Sequence, residues 1–190
     1  IMSTSFTTPE SVEVQQMLNF LKSGGINHAV MEISSHALEM HRVDDVQIDV
    51  AVYTQLSHDH LDYHKNMENY FQAKLKLFTQ LSENSTAVVN IDDKYGNQII
   101  ESIKSNVITY GFNEQATVHP TSYKLSITGI NAHISVDRKE IEISSPLVGK
   151  FNLYNILASI ASALALGIPH LRIARSIESF TKVSGRMEIV

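Results

Sequence analysis

The stretch Ser57–His64 reads SHDHLDYH and gathers three histidines and two aspartates into eight residues. Imidazole and carboxylate at that density suit metal ligation. The run His58-Asp59-His60-Leu61-Asp62 fits a His-x-His-x-Asp-His pattern, in which ligands converge on two metals from one loop. Tyr63 then intrudes before His64. On so short a loop one inserted residue redirects the last side chain, where ligand geometry is most demanding. A dinuclear metallohydrolase using His58, His60, Asp62 and His64 is therefore one reading. The plainer one is a polar loop between a strand and a helix.

Two further residues bear on the choice. Asn66–Leu81 (NMENYFQAKLKLFTQL) is strongly periodic, with an apolar stripe of Met67, Phe71, Leu75 and Phe78. Lys74 lies on that stripe, whereas Lys76 shares a face with Gln72 and Gln80. An apolar-face lysine commonly snorkels, its stem buried and its ammonium in water. The alternative is that burial lowers its pKa and exposes a nucleophilic amine able to take up CO₂ as a carbamate, a metal-binding anion. Glu32 falls within the apolar run His28–Ile33 (HAVMEI), where an unpaired buried carboxylate would be costly. It would need a cation, a hydrogen-bond network or a place at the strand's end. Open α/β sheets gather ligands at the C-terminal ends of strands. Glu32 and Thr54–His60 are expected at two such ends, with Lys74 on the helix that follows.

The elements that must position these residues follow from periodicity and punctuation. Glu10–Lys22 predicts a helix, with Pro9 near its first turn and Gly24-Gly25 as its stop. His28–Ile33, Ile48–Leu56, Thr86–Ile91 and Val107–Phe112 predict strands, and Tyr95–Lys104 a helix. Strands alternating with helices imply a three-layer α/β fold, its mostly parallel sheet flanked by helices. From His119 to Leu147 alternation and turn signals at Thr128-Gly129 and Asp137-Arg138 predict a small antiparallel β subregion. Phe151–Leu166 reads as a buried helix ended by Gly167-Ile168-Pro169, Arg172–Phe180 as another helix, and Met187–Val190 as the start of a strand.

Composition excludes several classes. The 190 residues carry a formal charge of −5 with no basic block, so a nucleic-acid footprint is absent. There is no cysteine, hence no disulfide or thiolate metal site, in keeping with a reducing cytoplasm. No apolar run approaches the ~18 residues of a membrane span, and Ile1–Thr8 lacks the form of a signal peptide. The abrupt ends, IMSTSFTTPE and GRMEIV, suggest a segment of a longer protein.

Five motifs then occur in order: MEISSHALEMHRV (Met31–Val43), SHDHLDYHKNMENYFQAKLKLF (Ser57–Phe78), NIDD (Asn90–Asp93), GKFNLYN (Gly149–Asn155) and SGRME (Ser184–Glu188). Together they resemble the central domain of the Mur ligases, of the MurE type that makes UDP-N-acetylmuramoyl-tripeptide. The likeness runs from Thr7 to Val190. It implies a P-loop-NTPase-like central domain in a cytoplasmic, monomeric enzyme of peptidoglycan synthesis. ATP would phosphorylate the γ-carboxylate of D-glutamate in UDP-MurNAc-L-Ala-D-Glu, and a diamino acid, meso-diaminopimelate or L-lysine, would attack the acyl phosphate. Mg²⁺ would neutralise the phosphates.

By the same resemblance Glu32 and His60 match metal-site residues and Lys74 the carbamylated lysine. Asn90, Asn152, Asn155 and Arg186 match positions near the nucleotide; Thr7, Thr8, Ser34 and Arg42 match positions that hold the UDP-MurNAc-dipeptide. Each has a plain alternative: helix capping for the asparagines, a surface ion pair for Arg186, a turn before Pro9 for Thr7 and Thr8, a helix cap for Ser34, a solvated side chain for Arg42. Met40 stands where many relatives carry a substrate-contacting glutamine. The resemblance makes His58 and His64 bystanders. The sequence contains no G-x-x-x-x-G-K-[ST] and matches neither the N-terminal uridine-binding domain nor the C-terminal domain of such ligases. Residues 1–190 are thus expected to be an incomplete central domain, inactive alone. A noncatalytic Mur-like binding protein is the remaining alternative, and a folylpolyglutamate synthetase fits MEISSHAL and DHLDYH less well.

Overall fold

The computed structural model describes residues 7–58 and 61–180. The described residues form two compact units, one from 7–48 together with 57–58 and 61–80, the other from 49–56 together with 81–180.

The first unit is helical. Helix α1 (Ser11–Ser23) starts where the Glu13 carboxylate accepts from the Glu10 amide at 3.1 Å, and it buries Val14. Helix α2 (Ser35–Glu39) is short and capped by Ser34, whose hydroxyl accepts from the Ala37 amide at 3.2 Å. Helix α3 (Leu61–His64) is one turn within the SHDHLDYH stretch, where the sequence reads as a loop. Helix α4 (Met67–Thr79) begins at Asn66, whose side chain accepts from the Asn69 amide at 2.8 Å. It buries Tyr70, Phe71, Ala73 and Phe78, leaving Met67 and Leu75 half-buried. The buried stripe is thus rotated slightly from the one the periodicity suggests.

One expected strand is missing. His28–Ile33 pairs with no other strand among the described residues, and Val30 is fully exposed. A strand is stabilised by its ladder, not by its own residues, and the described residues supply no ladder partner here. Glu32 is consequently exposed, so burial does not force a partner upon it.

The second unit carries one six-stranded sheet in the order β1 to β6: β1 (Val50–Tyr53), β2 (Thr86–Asn90), β3 (Asn106–Tyr110), β4 (Val118–Ser126), β5 (Gly129–Val136) and β6 (Lys139–Ser145). Three of its five pairings are parallel (β1–β2, β2–β3, β3–β4) and the last two antiparallel. The antiparallel region therefore extends the main sheet, joined through the single pair Tyr110–Val118. Asp137 and Arg138 both have positive φ, 47° and 65°, which makes the two-residue β5–β6 loop a type I′ turn. Helix α5 (Gly96–Glu101) packs on β2. Helix α6 (Lys150–Ala165) lies across β1 to β5, and α7 (His170–Ser179) packs on β6 and α6. The core gathers Val88, Ile130, Ile134, Leu153, Leu157 and Ile160, so alternate residues of β5 meet one face of α6. Among the described residues no helix is long and apolar enough to cross a membrane. The strand expected at Met187–Val190 lies outside them.

Candidate active site

In the first unit, three of the four residues matched to substrate binding meet. Thr8 is 1% exposed; its Oγ1 donates to the Glu32 carbonyl at 2.9 Å and accepts from the Ser34 amide at 3.0 Å. Arg42 Nη1 donates to the Thr8 carbonyl at 3.0 Å, while Nη2 pairs with Glu10 Oε1 at 2.7 Å. The Arg42 side chain is only 10% exposed and lies against the Met40 sulfur, so it is not the solvated cation of the plain reading. Ser34 both receives Thr8 and caps α2. Thr7 is exposed, and it takes no part in these bonds.

Lys74 is half-buried on α4. Its Nζ lies 5.4 Å from the centroid of the Tyr70 ring. Burial lowers the ammonium's pKa, and the Glu32 carboxylate pulls in the opposite direction with the smaller effect. The described structure thus brings Lys74 and Glu32 into one electrostatic neighbourhood. His60, the third residue expected at the metal site, lies outside the described residues, as does Asp59. Among the described residues no three His, Cys, Asp or Glu side chains form a ready metal cluster.

His64 is placed differently from a metal ligand. It is 3% exposed; Nε2 shares a 2.8 Å hydrogen bond with Ser35 Oγ, and Nδ1 lies 3.8 Å from Glu39 Oε2. Its ring stacks on Tyr70 at 4.9 Å and 17° and meets Tyr63 edge-on. His58 and Asp62 are exposed. The one-turn α3 has turned His64 into the unit's interior.

In the second unit Asn90, at the end of β2, is buried. Its Nδ2 donates to the Thr54 carbonyl at 2.7 Å and its Oδ1 accepts from the Asp92 amide at 3.0 Å. The two aspartates of NIDD are equally occupied. Asp92 accepts from the Phe112 and Asn113 amides and from the Tyr154 hydroxyl at 2.8 Å. Asp93 accepts from the Tyr53 hydroxyl at 2.8 Å and from the Leu56 and Tyr95 amides. Burial and then the Asp92 bond push the Tyr154 phenol up to about 12; burial and then Asp93 push Tyr53 higher still.

Asn152 is not the helix cap of the plain reading. It sits in the first turn of α6, and its Nδ2 reaches back to the Val148 carbonyl at 2.8 Å while its Oδ1 accepts from Asn155 Nδ2 at 3.3 Å. Asn152 and Asn155 line a cavity of about 420 Å³ with Ile156, Ser159, Arg172 and Ile177. Arg186 lies outside the described residues. Sequence reasoning missed His64, Asp92 and Asp93 as organisers of these sites. The signal for the aspartates was present: two carboxylates just after a buried strand, with tyrosines at the C-terminal ends of β1 and β3.

A sequence profile of the Mur ligase middle domain matches residues 1–163. The chain belongs to this family. It is 44% identical over 190 residues to the UDP-N-acetylmuramoyl-L-alanyl-D-glutamate–2,6-diaminopimelate ligase of Caldanaerobacter subterraneus subsp. tengcongensis, covering 100% of this chain and 39% of that protein. A solved structure of a ligase of the same name superposes with a TM-score of 0.87 at 28% identity, over 95% of this chain and 38% of the other. The MurF ligase from Thermotoga maritima, solved in complex with ADP, superposes at 0.64 with 18% identity, over 81% of this chain and 35% of that one, which speaks for the fold alone. This Mur ligase chain therefore spans about two fifths of the length of the curated relative it matches. Its mixed six-stranded sheet with flanking helices is the Mur ligase architecture, and its likeness is to the diaminopimelate-adding branch.

Proposed function

We propose that the chain is the central part of a cytoplasmic, ATP-dependent ligase that joins a diamino acid to UDP-MurNAc-L-Ala-D-Glu. Diaminopimelate is the acceptor amine favoured by the relative's name. The observation that carries the reading is Lys74: a half-buried amine whose protonation burial disfavours, on a helix packed against α2, with Glu32 as its electrostatic neighbour. Only the neutral amine adds CO₂, losing a proton as the carbamate forms, so desolvation of Lys74 favours that modification. In this reading carbamylated Lys74, Glu32 and His60 would hold Mg²⁺, which when bound neutralises phosphate charge during transfer. Thr8, Ser34 and Arg42 would orient the nucleotide-linked dipeptide, and their mutual hydrogen bonds hold them in place before it arrives. Thr7, exposed beside them, would supply a further contact. Asn152 and Asn155 would meet the adenine in the cavity they line, with Asn90 fixing the end of β2 and Arg186 reaching the phosphates.

The transfer uses the D-glutamyl γ-carboxylate as nucleophile on the γ-phosphorus, expelling ADP. The amine then attacks the acyl carbon, a proton is lost and phosphate departs. The metallohydrolase alternative is disfavoured because the His64 ring engages Ser35 and packs on Tyr70.

The test is ADP release by the complete protein that carries this segment, dependent on both UDP-MurNAc-dipeptide and diaminopimelate. Lys74→Ala is expected to abolish it, and bicarbonate depletion to slow the unsubstituted enzyme. Full activity in Lys74→Ala would overturn the reading.

A further inference from the structure

His64 sits where three pieces of the first unit meet. Its Nε2 bonds Ser35 Oγ at 2.8 Å, and Ser35 follows Ser34, whose amide is held by Thr8 Oγ1 at 3.0 Å. Its ring stacks on Tyr70, and that same ring lies beneath the Lys74 ammonium at 5.4 Å. Its own carbonyl accepts from Asn69 Nδ2 at 3.0 Å, tying α3 to the start of α4. Nε2 and Ser35 Oγ are within hydrogen-bond reach, whereas Glu39 Oε2 lies 3.8 Å from Nδ1.

A buried imidazole held by a short polar bond and a stacked face is fixed in both position and rotation. The two groups it fixes belong to different elements: Ser35 opens α2, and Tyr70 is one helical turn before Lys74. From this juxtaposition we propose that His64 is a positioning residue that holds the Thr8–Ser34 knot at a set distance from Lys74. It touches neither substrate nor phosphate; it acts through Ser35 and Tyr70. The kinetic consequence rests on the ligase reading above, because that reading places substrate at Thr8 and Ser34 and the metal-binding carbamate at Lys74. The tether itself does not.

Three variants of the complete protein separate the parts. His64→Phe keeps a ring to stack on Tyr70 and loses the bond to Ser35. Ser35→Ala removes the same bond from the other side and leaves the imidazole in place. His64→Gln supplies an amide able to reach Ser35. In His64→Phe and Ser35→Ala, amide hydrogen exchange in Ser34–Leu38 should rise about tenfold, the size of one lost buried hydrogen bond. KM for UDP-MurNAc-dipeptide should rise about tenfold while KM for ATP stays within about twofold, because the misplacement falls on the dipeptide side. His64→Gln should restore both readouts to within about threefold, and the double variant His64→Phe/Ser35→Ala should be no worse than either single one.

Unchanged exchange in Ser34–Leu38 overturns the proposal, as does an equal rise in both KM values, which would mean a generally loosened fold. Additive effects in the double variant overturn it too. If the unsubstituted protein ligates nothing, the ligase reading fails instead, and the exchange measurement still decides whether the tether exists.

Discussion

Thr8→Val removes one oxygen from the knot that joins the two ends of the first unit's N-terminal segment. The valine fits, since it replaces a hydroxyl with a methyl, so packing is nearly conserved. Two hydrogen bonds disappear: Oγ1 to the Glu32 carbonyl at 2.9 Å and the Ser34 amide to Oγ1 at 3.0 Å. Each contributes about 1 kcal/mol net, and a donor left dry adds roughly another 1 kcal/mol. Ser34 is only half-buried and Glu32 exposed, so water reaches their backbone groups in part and the upper end of that range does not apply. The expected loss is about 2 kcal/mol, a fall in melting temperature of roughly 4–8 °C for a chain of this size. Thr8→Ser keeps the oxygen and loses one buried methyl, which costs about 1 kcal/mol. The chain has no tryptophan, so far-UV circular dichroism follows the melt, and amide exchange at Ser34 reports the affected unit directly. Thr8→Val as stable as the parent would refute the reasoning. So would Thr8→Ser as damaging as Thr8→Val, because keeping the oxygen would then have protected nothing.

Arg138→Gly should raise stability by about 1 kcal/mol, since both residues of the β5–β6 turn hold positive φ and only glycine does so freely; a urea melt measures it. Gly96→Ala should be strongly destabilising, by about 2 kcal/mol or more, because its Cβ would lie 2.2 Å from the Asn90 carbonyl oxygen; loss of soluble expression or a lowered melt would show it. Tyr154 should ionise near 12 rather than the usual 10, read as absorbance at 295 nm, and Asp92→Asn should bring the midpoint down. Its folded pKa is raised, so this stabilisation is complete below pH 10 and declines as pH climbs towards 12. Lys74→Met should leave the melt unchanged or higher at pH 7 while abolishing ligation: the depressed folded pKa means the protonated amine is a burden on folding at neutral pH, relieved only as pH rises towards 10.5.

Local pattern made α4, α6 and the β5–β6 hairpin legible, because each carries its own period and its own punctuation. The position of Lys74 on a partly buried face was legible for the same reason, as Phe71 and Phe78 mark that face. What local pattern could not show was pairing. His28–Ile33 has a strand's composition and, among the described residues, no ladder, and Glu32 is exposed there. Nor could it show that β4 joins β3, since one residue pair makes the junction. His64 read as a bystander because its partners, Ser35 and Tyr70, lie 29 residues upstream and on the next helix. The carboxylates of NIDD serve backbone amides and phenols, partners that come from other elements and are fixed by tertiary packing.

The sheet's seam between β3 and β4 has a consequence for how the second unit comes apart. A parallel ladder on one side and an antiparallel meander on the other share a single register pair, so the sheet alone offers little cooperativity across that line. Helix α6 supplies it, because it rests on strands from both sides. Thermal openings of this unit should therefore be governed by the docking of one helix: with α6 seated the six strands behave as one foldon, and with α6 lifted they become two.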